Sequence, residues 1–346
     1  MPSAAHSKRQ TGAPVATANT FTHAIAQRGN NTRLIRFLLA ALTMILLLAA
    51  CGRPATPAAA QRALESGAAN LDQGRLEQAI ADFDRALALD PDRAQAYNLR
   101  GLAYLEKGDL EQALADNSRA LALDPDPVAY YNRGSAYAAL GDLDRAIADY
   151  DQAIALDPEY VSAYNNRGLA YDTQGDLQRG IADYSRVIEL DPDHALATYN
   201  RGFAYQLLGQ TDRALADFDR AIELAPGFAA AYSSRGYLYL NQGDLDLAKA
   251  DFDRALARDP TLVAAYINRG LTQHMAGDYD RALADFDQAL ALDPASALAN
   301  FYRGAVYLEQ GDVAGAISEL RQVLYLSADP ALRQMAQEKL QMLGAK

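Results

Sequence analysis

Hydrophobic and polar positions alternate along most of this chain with helical spacing, and the pattern is clearest from Tyr130 to Pro158. There the text reads YYNRGSAYAALGDLDRAIADYDQAIALDP, two amphipathic stretches flanking Gly141-Asp142 and closed by Asp157-Pro158. Close variants return at Tyr164–Pro192, Tyr199–Pro226, Tyr232–Pro260 and Tyr266–Pro294, so Pro158, Pro192, Pro226, Pro260 and Pro294 stand 34 residues apart. A fixed period of this size marks a solenoid, because one short unit buries too little surface to fold alone and must stack on its neighbours. Each unit predicts two helices. Glycine accepts the left-handed conformation that ends the first. The Asp that usually follows (Asp109, Asp142, Asp176, Asp244, Asp278, Asp312) is a good cap for the second. The residue before proline is pushed out of helical geometry, so Asp-Pro, or Ala225-Pro226 in the fifth unit, ends the second helix.

Within a unit a Gly (Gly134), a Tyr three later (Tyr137), an Ala (Ala146), an aromatic four later (Tyr150), an Ala (Ala153) and a Pro (Pro158) recur. This spacing resembles the tetratricopeptide repeat, a helix–turn–helix unit of about 34 residues. The resemblance covers about residues 60 to 326 in eight tandem units and implies an all-α fold, a right-handed α-solenoid whose first helices build a concave inner wall.

The units are not equal. In the first, Ala63, Ser66 and Asn70 stand where later units have Tyr, Arg and Tyr, as expected of a terminal repeat with one uncovered face. The second carries Asn117 where its neighbours have an aromatic and is one residue short before the third. Asn117 reads either as drift in a redundant array or as a hinge or polar ligand contact. Gly180 replaces the usual Ala in the fourth unit, at a cost of about 1 kcal/mol in helix propensity. In the eighth, Leu320 and Val323 replace the aromatic and the Ala. The amphipathic stretch Ala331–Leu343 predicts a helix that caps the last unit, giving a segment 327–346 of cap and tail.

The N-terminus is a different kind of sequence. Arg33 and Arg36 precede the run Phe37–Ala50, in which only Thr43 is polar, and small residues precede Cys51. Charged, apolar and small regions in that order predict a secretory signal peptide, with an uncleaved signal anchor as the other reading, and the run is short for a membrane span, which needs about 20 apolar residues. Leu48-Ala49-Ala50-Cys51 resembles the lipobox of bacterial lipoproteins, which implies cleavage after residue 50 and a lipid on Cys51. Gly52 is not Asp, so the inner-membrane retention signal of that family is unmatched, and an outer membrane is implied where the organism has one. Residues 51–59 then read as a Pro/Ala linker.

Composition narrows the function. Cutting after Ala50 removes five of the 32 basic residues and no acid, leaving 27 against 44, a net charge of −17. An array this acidic repels phosphate backbones, which argues against nucleic acid. One cysteine allows no intrachain disulfide, and His6, His23, His194 and His274 show no metal-ligand spacing. The paired carboxylates Asp149 and Asp151, Asp217 and Asp219, Asp251 and Asp253, Asp285 and Asp287 are regular and read as a solvated outer face. No catalytic constellation and no cofactor motif stands out, so an enzyme is not expected.

Sequence varies most on the expected inner wall: Asn98, Leu102, Tyr131, Asn132, Asn165, Leu169, Asp172, Tyr199, Phe203, Gln206, Tyr237, Asn241, Ile267, Leu271, His274, Phe301 and Leu308. Aromatics mixed with amides suit a bound peptide, with rings as anchors and amides on its backbone. Packing between first helices is the other reading, above all for Tyr131 and Phe301. The candidate groove set is Tyr131, Asn132, Asn165, Leu169, Tyr199, Phe203, Gln206, Tyr237, Asn241, Leu271 and His274. No lysine stands among these positions, so the tetratricopeptide clamp for chaperone C-termini is not matched. The expectation is a monomeric, membrane-tethered extracytoplasmic scaffold for a protein or peptide; a structural spacer or self-assembling array is the alternative.

Overall fold

A computed structural model describes residues 56–345. Among them are seventeen helices and no strand, in eight antiparallel pairs: α1 (Thr56–Asp72) with α2 (Leu76–Leu89), α3 (Ala94–Lys107) with α4 (Leu110–Leu123), α5 (Pro127–Ala139) with α6 (Leu143–Leu156), α7 (Val161–Gln174) with α8 (Leu177–Leu190), α9 (Ala195–Leu207) with α10 (Thr211–Leu224), α11 (Ala229–Gln242) with α12 (Leu245–Arg258), α13 (Val263–Met275) with α14 (Tyr279–Leu292), and α15 (Ala297–Glu309) with α16 (Val313–Leu326). The helix α17 (Pro330–Met342) follows the last pair. The array is an α-solenoid. Its first helix begins at Thr56, four residues before the expected start, so part of the expected linker is helical. Cys51 and the apolar run before it lie outside the described residues.

The turns explain the pairing. Gly74, Gly108, Gly141, Gly175, Gly209, Gly243, Gly277 and Gly311, one between the two helices of every unit, have φ between 69° and 91°, the left-handed region that glycine enters without strain. The Asp caps are partly as expected. Asp142, Asp176, Asp278 and Asp312 accept from the N–H three residues on, whereas Asp109 and Asp244 make no such side-chain bond. Between units, Asp157, Asp191, Asp259 and Asp293 bridge their prolines by accepting from the N–H two residues on. The short second unit is closed by Asp126, which accepts from Val128 and Ala129 ahead of Pro127 at the start of α5.

Helix pairs meet at the glycine of each first helix. A Cβ on Gly67, Gly134, Gly168, Gly202, Gly236 or Gly270 would lie 2.5–3.0 Å from the buried ring of its own second helix: Phe83, Tyr150, Tyr184, Phe218, Phe252 or Phe286. First helices of successive units touch one another (α3 on α5, through to α13 on α15), while successive second helices share no comparable contact. The first helices therefore form the tighter, inner wall of the curve.

The outer carboxylates are not all solvated. Asp116, Asp149, Asp183, Asp217, Asp251 and Asp285 are buried, and each takes a two-pronged ion pair from the arginine that precedes the glycine of its own first helix. The N–H···O distances are 2.6–2.8 Å. The third prong reaches the preceding unit: Arg100 to Asp84, Arg167 to Asp151, Arg235 to Asp219 and Arg269 to Asp253, or to Ser118 and Ser185 from Arg133 and Arg201. The expectation of a solvated face thus holds only for the second acid of each pair. Sequence pattern misled because an Asp on the polar side of a helix looks the same whether water or arginine faces it. In the first unit, where Ser66 and Asn70 replace Arg and Tyr, both donate to Asp82, at 2.6 and 2.9 Å. In the eighth the longer Glu319 takes only one prong of Arg303, and Arg303 Nε and Glu319 Oε2 stay without partners.

The cap forms as expected. Ala336 and Leu340 of α17 are buried against Phe301, Leu320 and Val323. Arg333 donates to the carbonyls of Leu324 and Ser327, satisfying the end of α16.

Two stability predictions follow from this packing. Arg133→Leu leaves Asp149, 5% exposed, without its ion-pair partner, and uncompensated buried charge costs about 3–5 kcal/mol; chemical denaturation of the two proteins measures the loss. Asn117 is fully buried, donates to the Ala113 carbonyl and leaves its Oδ1 unpaired in the space where other units hold a ring. It cannot touch a ligand, so Asn117→Phe raises stability by about 1–3 kcal/mol. A lower melting temperature would mean that the amide is required.

Candidate functional site

On an α-helix each residue turns the chain by about 100°, so positions one, five and minus six from the glycine of a first helix share an arc of roughly 40°. Exposed large hydrophobic side chains inside the first helices fall only on these positions: Val128, Leu169, Leu196, Leu207, Tyr237, Met275 and Leu298. Four of them continue through successive units: Leu169 on α7, Leu207 on α9, Tyr237 on α11 and Met275 on α13, exposed by 48, 56, 38 and 56%. Half-buried Phe203 and Leu271 lie one helical turn from Leu207 and Met275. The stripe faces away from the second helices, whose contacts the glycine and alanine faces of the same helices supply. It is the inner wall.

The structure divides the sequence candidates. Leu169, Tyr237 and Asn241 are exposed on this wall, and Asn165, Phe203, Gln206, Leu271 and His274 are half-buried in it. Three candidates are spent on packing. The Tyr131 ring lies 5.9 Å from that of Tyr150 and 5.2 Å from that of Tyr160, and its hydroxyl accepts from Asn166 Nδ2 at 3.0 Å. Buried Asn132 donates to Asn98 Oδ1 at 2.7 Å, tying α5 to α3. Tyr199 sits among Phe203, Phe218 and Phe228, with its hydroxyl 3.3 Å from Ser234 Oγ. Burial raises the pKa values of both Tyr131 and Tyr199. Phe301 and Ile267, also read as wall positions, are buried. Conversely Val128, Leu196, Leu207, Met275 and Leu298 escaped the sequence reading, which weighed aromatics and amides over aliphatic residues near the helix ends. Their recurrence on one helical arc was the available signal.

One family model described as TPR repeat matches residues 67–108 and 134–175, and three described as Tetratricopeptide repeat match 94–127 with 229–262, 167–235, and 267–331. These units are tetratricopeptide repeats, and the chain belongs to that family. No curated protein matches it in sequence. Among solved structures it is similar to the APC/C hetero-tetramer Cut9-Hcn1, with TM-score 0.60 and 19% identity over 76% of this chain and 52% of that one. The chain thus spans about half the length of that protein. A tetratricopeptide repeat protein from Parabacteroides merdae superposes with TM-score 0.56 and 21% identity over 72% of this chain and 98% of that one. Pseudomonas aeruginosa pilF does so with TM-score 0.54 and 19% identity over 63% and 96%. At these identities the likeness is one of fold.

Against the repeat pattern, two side chains bring charge chemistry to the inner wall of the central units. His274 Nε2 lies 3.0 Å from Glu309 Oε1 on the next first helix, and its Nδ1 is buried without a partner. Hydrogen bonds from Tyr279 and His274 hold the Glu309 carboxyl below its usual range. Asp172 accepts from the Tyr184 hydroxyl at 2.8 Å through Oδ2, while Oδ1 is buried and unpaired. This explains Gly180: a Cβ there would stand 2.0 Å from Asp172 Oδ1. The fourth unit gives up an alanine to admit a carboxylate. Among the described residues no three His, Cys, Asp or Glu side chains gather as a metal site.

Burial pushes the Asp172 carboxyl up to about 6, from its ordinary 3.8. A folded-state pKa above the unfolded one gives stability that is present below the unfolded value and lost as pH rises through the folded value. The array is therefore less stable at pH 7 than this carboxyl alone would make it at pH 4. Asp172→Asn removes that loss. Its stability gain over the parent is expected to grow between pH 4 and 7 to on the order of 1 kcal/mol, solvent screening included. Thermal melts of both proteins across that range check the sign.

Proposed function

We propose that this protein is a membrane-tethered, extracytoplasmic scaffold that holds a protein or peptide partner on the inner wall of its repeats. The observation that carries the reading is the apolar stripe from Leu169 to Met275, which the folded array leaves uncovered on the side where its first helices converge. Exposed contiguous apolar surface on a soluble array is the usual mark of a binding face. Tethering rests on the lipobox-like Leu48-Ala49-Ala50-Cys51, with lipid on Cys51 and an outer-membrane address where the organism has two membranes. The scaffold acts without catalysis, cofactor or nucleic acid, and as a monomer. The buried face of α17 favours this over a self-assembling array, because it covers the end on which another copy would stack.

The test is made in cells. Cys51→Ser is expected to move the protein from the membrane to the soluble fraction and to abolish incorporation of labelled palmitate; a variant that stays in the membrane overturns the tether. A photo-crosslinking residue in place of Tyr237 should capture a protein that the same residue in place of Tyr325, exposed on α16, does not. Equal capture at both positions removes the inner wall from the proposal.

A further inference from the structure

The inner wall differs from the rest of the molecule in charge. From α5 to α13 the five first helices carry, besides the arginine that each commits to its ion pair, only Asp172 and His274 as acidic or basic side chains. The rest of that wall is aliphatic, aromatic, hydroxyl or amide. Its two long edges are the turns between helices, and carboxylates outnumber cations on both, although Arg213 on one edge and Arg258 on the other also stand without an ion pair. Asp244, Asp246 and Asp280 on one edge, and Asp157, Asp191 and Asp259 on the other, form no salt bridge. The stripe of Leu169, Leu207, Tyr237 and Met275 thus runs between two edges on which acid exceeds base.

From this juxtaposition we propose that the partner is a basic amphipathic segment whose apolar residues seat on the stripe and whose Lys or Arg side chains flank it on both sides. The inference rests on the binding-wall reading above and adds the chemistry of the occupant. An apolar strip selects for buried side chains by area alone and does not discriminate charge. The edges do: an acidic segment laid along the wall would bring like charges together, and a basic one would be steered in and held. Lysine and arginine suit the task because their aliphatic stems cover apolar surface while their heads reach outward to the rim.

Three defined peptides separate the outcomes, titrated by fluorescence anisotropy against the full chain purified in detergent. One is an amphipathic Leu/Lys helix, the second its twin with Glu for every Lys, and the third a Lys peptide with Ser for every Leu. The Leu/Lys peptide is expected to bind at least about tenfold more tightly than either of the others, and less tightly as salt is raised. Leu207→Ser with Met275→Ser should weaken it about tenfold. Both side chains are more than half exposed, so the substitution spares the fold, and Leu156→Ser with Leu247→Ser on the second helices should change nothing. If the Leu/Glu twin binds as tightly and is lost in the same double variant, the wall binds but the basic partner is wrong. If the Lys/Ser peptide binds as well as the Leu/Lys one, the stripe is not the seat and the inference fails. If no peptide binds, or binding ignores Leu207 and Met275, the binding-wall reading falls with it.

Discussion

A guanidinium shared between three helices is the interaction on which the array depends. Each arginine before the helix-crossing glycine forks onto an Asp of its own second helix and sends its remaining nitrogen to the second helix before. In five units its face also lies 5.4–5.7 Å from the ring of the Tyr three residues earlier. Buried ion pairs add little stability over apolar packing, but they tolerate only one register because a half-satisfied charge is costly. That is what a stack of near-identical units needs. Alanine and leucine faces would pack in several offsets, and the ladder of forks admits one. Its guanidinium groups are held firmly charged: hydrogen bonds to the carboxylates raise their pKa further.

The ladder also explains which parts of the fold were legible in the sequence. The period, the glycine turns, the Asp-Pro boundaries and the cap are local signals, and each appears where the residues place it. Burial of Asp149 or Asp251 is a tertiary event that depends on an arginine sixteen residues away, so helical periodicity assigned both to water. The same limit governs the site. Tyr131, Asn132 and Tyr199 lie on positions that face the groove in projection, yet large or bridging side chains there lean onto the neighbouring helix and are consumed by it. Leu207 and Met275 are the last residues of their helices and remain exposed. Whether a wall position packs or stays exposed depends on the side chains of the next unit, as the contacts of Tyr131 with Tyr160 and of Tyr199 with Phe228 show, and no single unit encodes it.

The division of labour between the two walls has a physical consequence for variation. Register and stacking are fixed by the ladder and by the ring-against-glycine contacts between each pair of helices. The inner-wall positions therefore change at small cost to the fold, and in this chain they have: Leu169, Phe203, Tyr237 and Leu271 occupy one repeat position in four successive units. Where a change does reach the helix interface, a compensating one accompanies it. A Cβ at Gly180 would crowd the Asp172 carboxylate as it is placed, and that carboxylate is paired with a tyrosine at a position that holds phenylalanine in the next three units. The single carboxylate of the central wall was admitted at the expense of helix propensity and of a desolvated charge. An array selected for stacking alone would have kept at position 180 the alanine that every other unit has there.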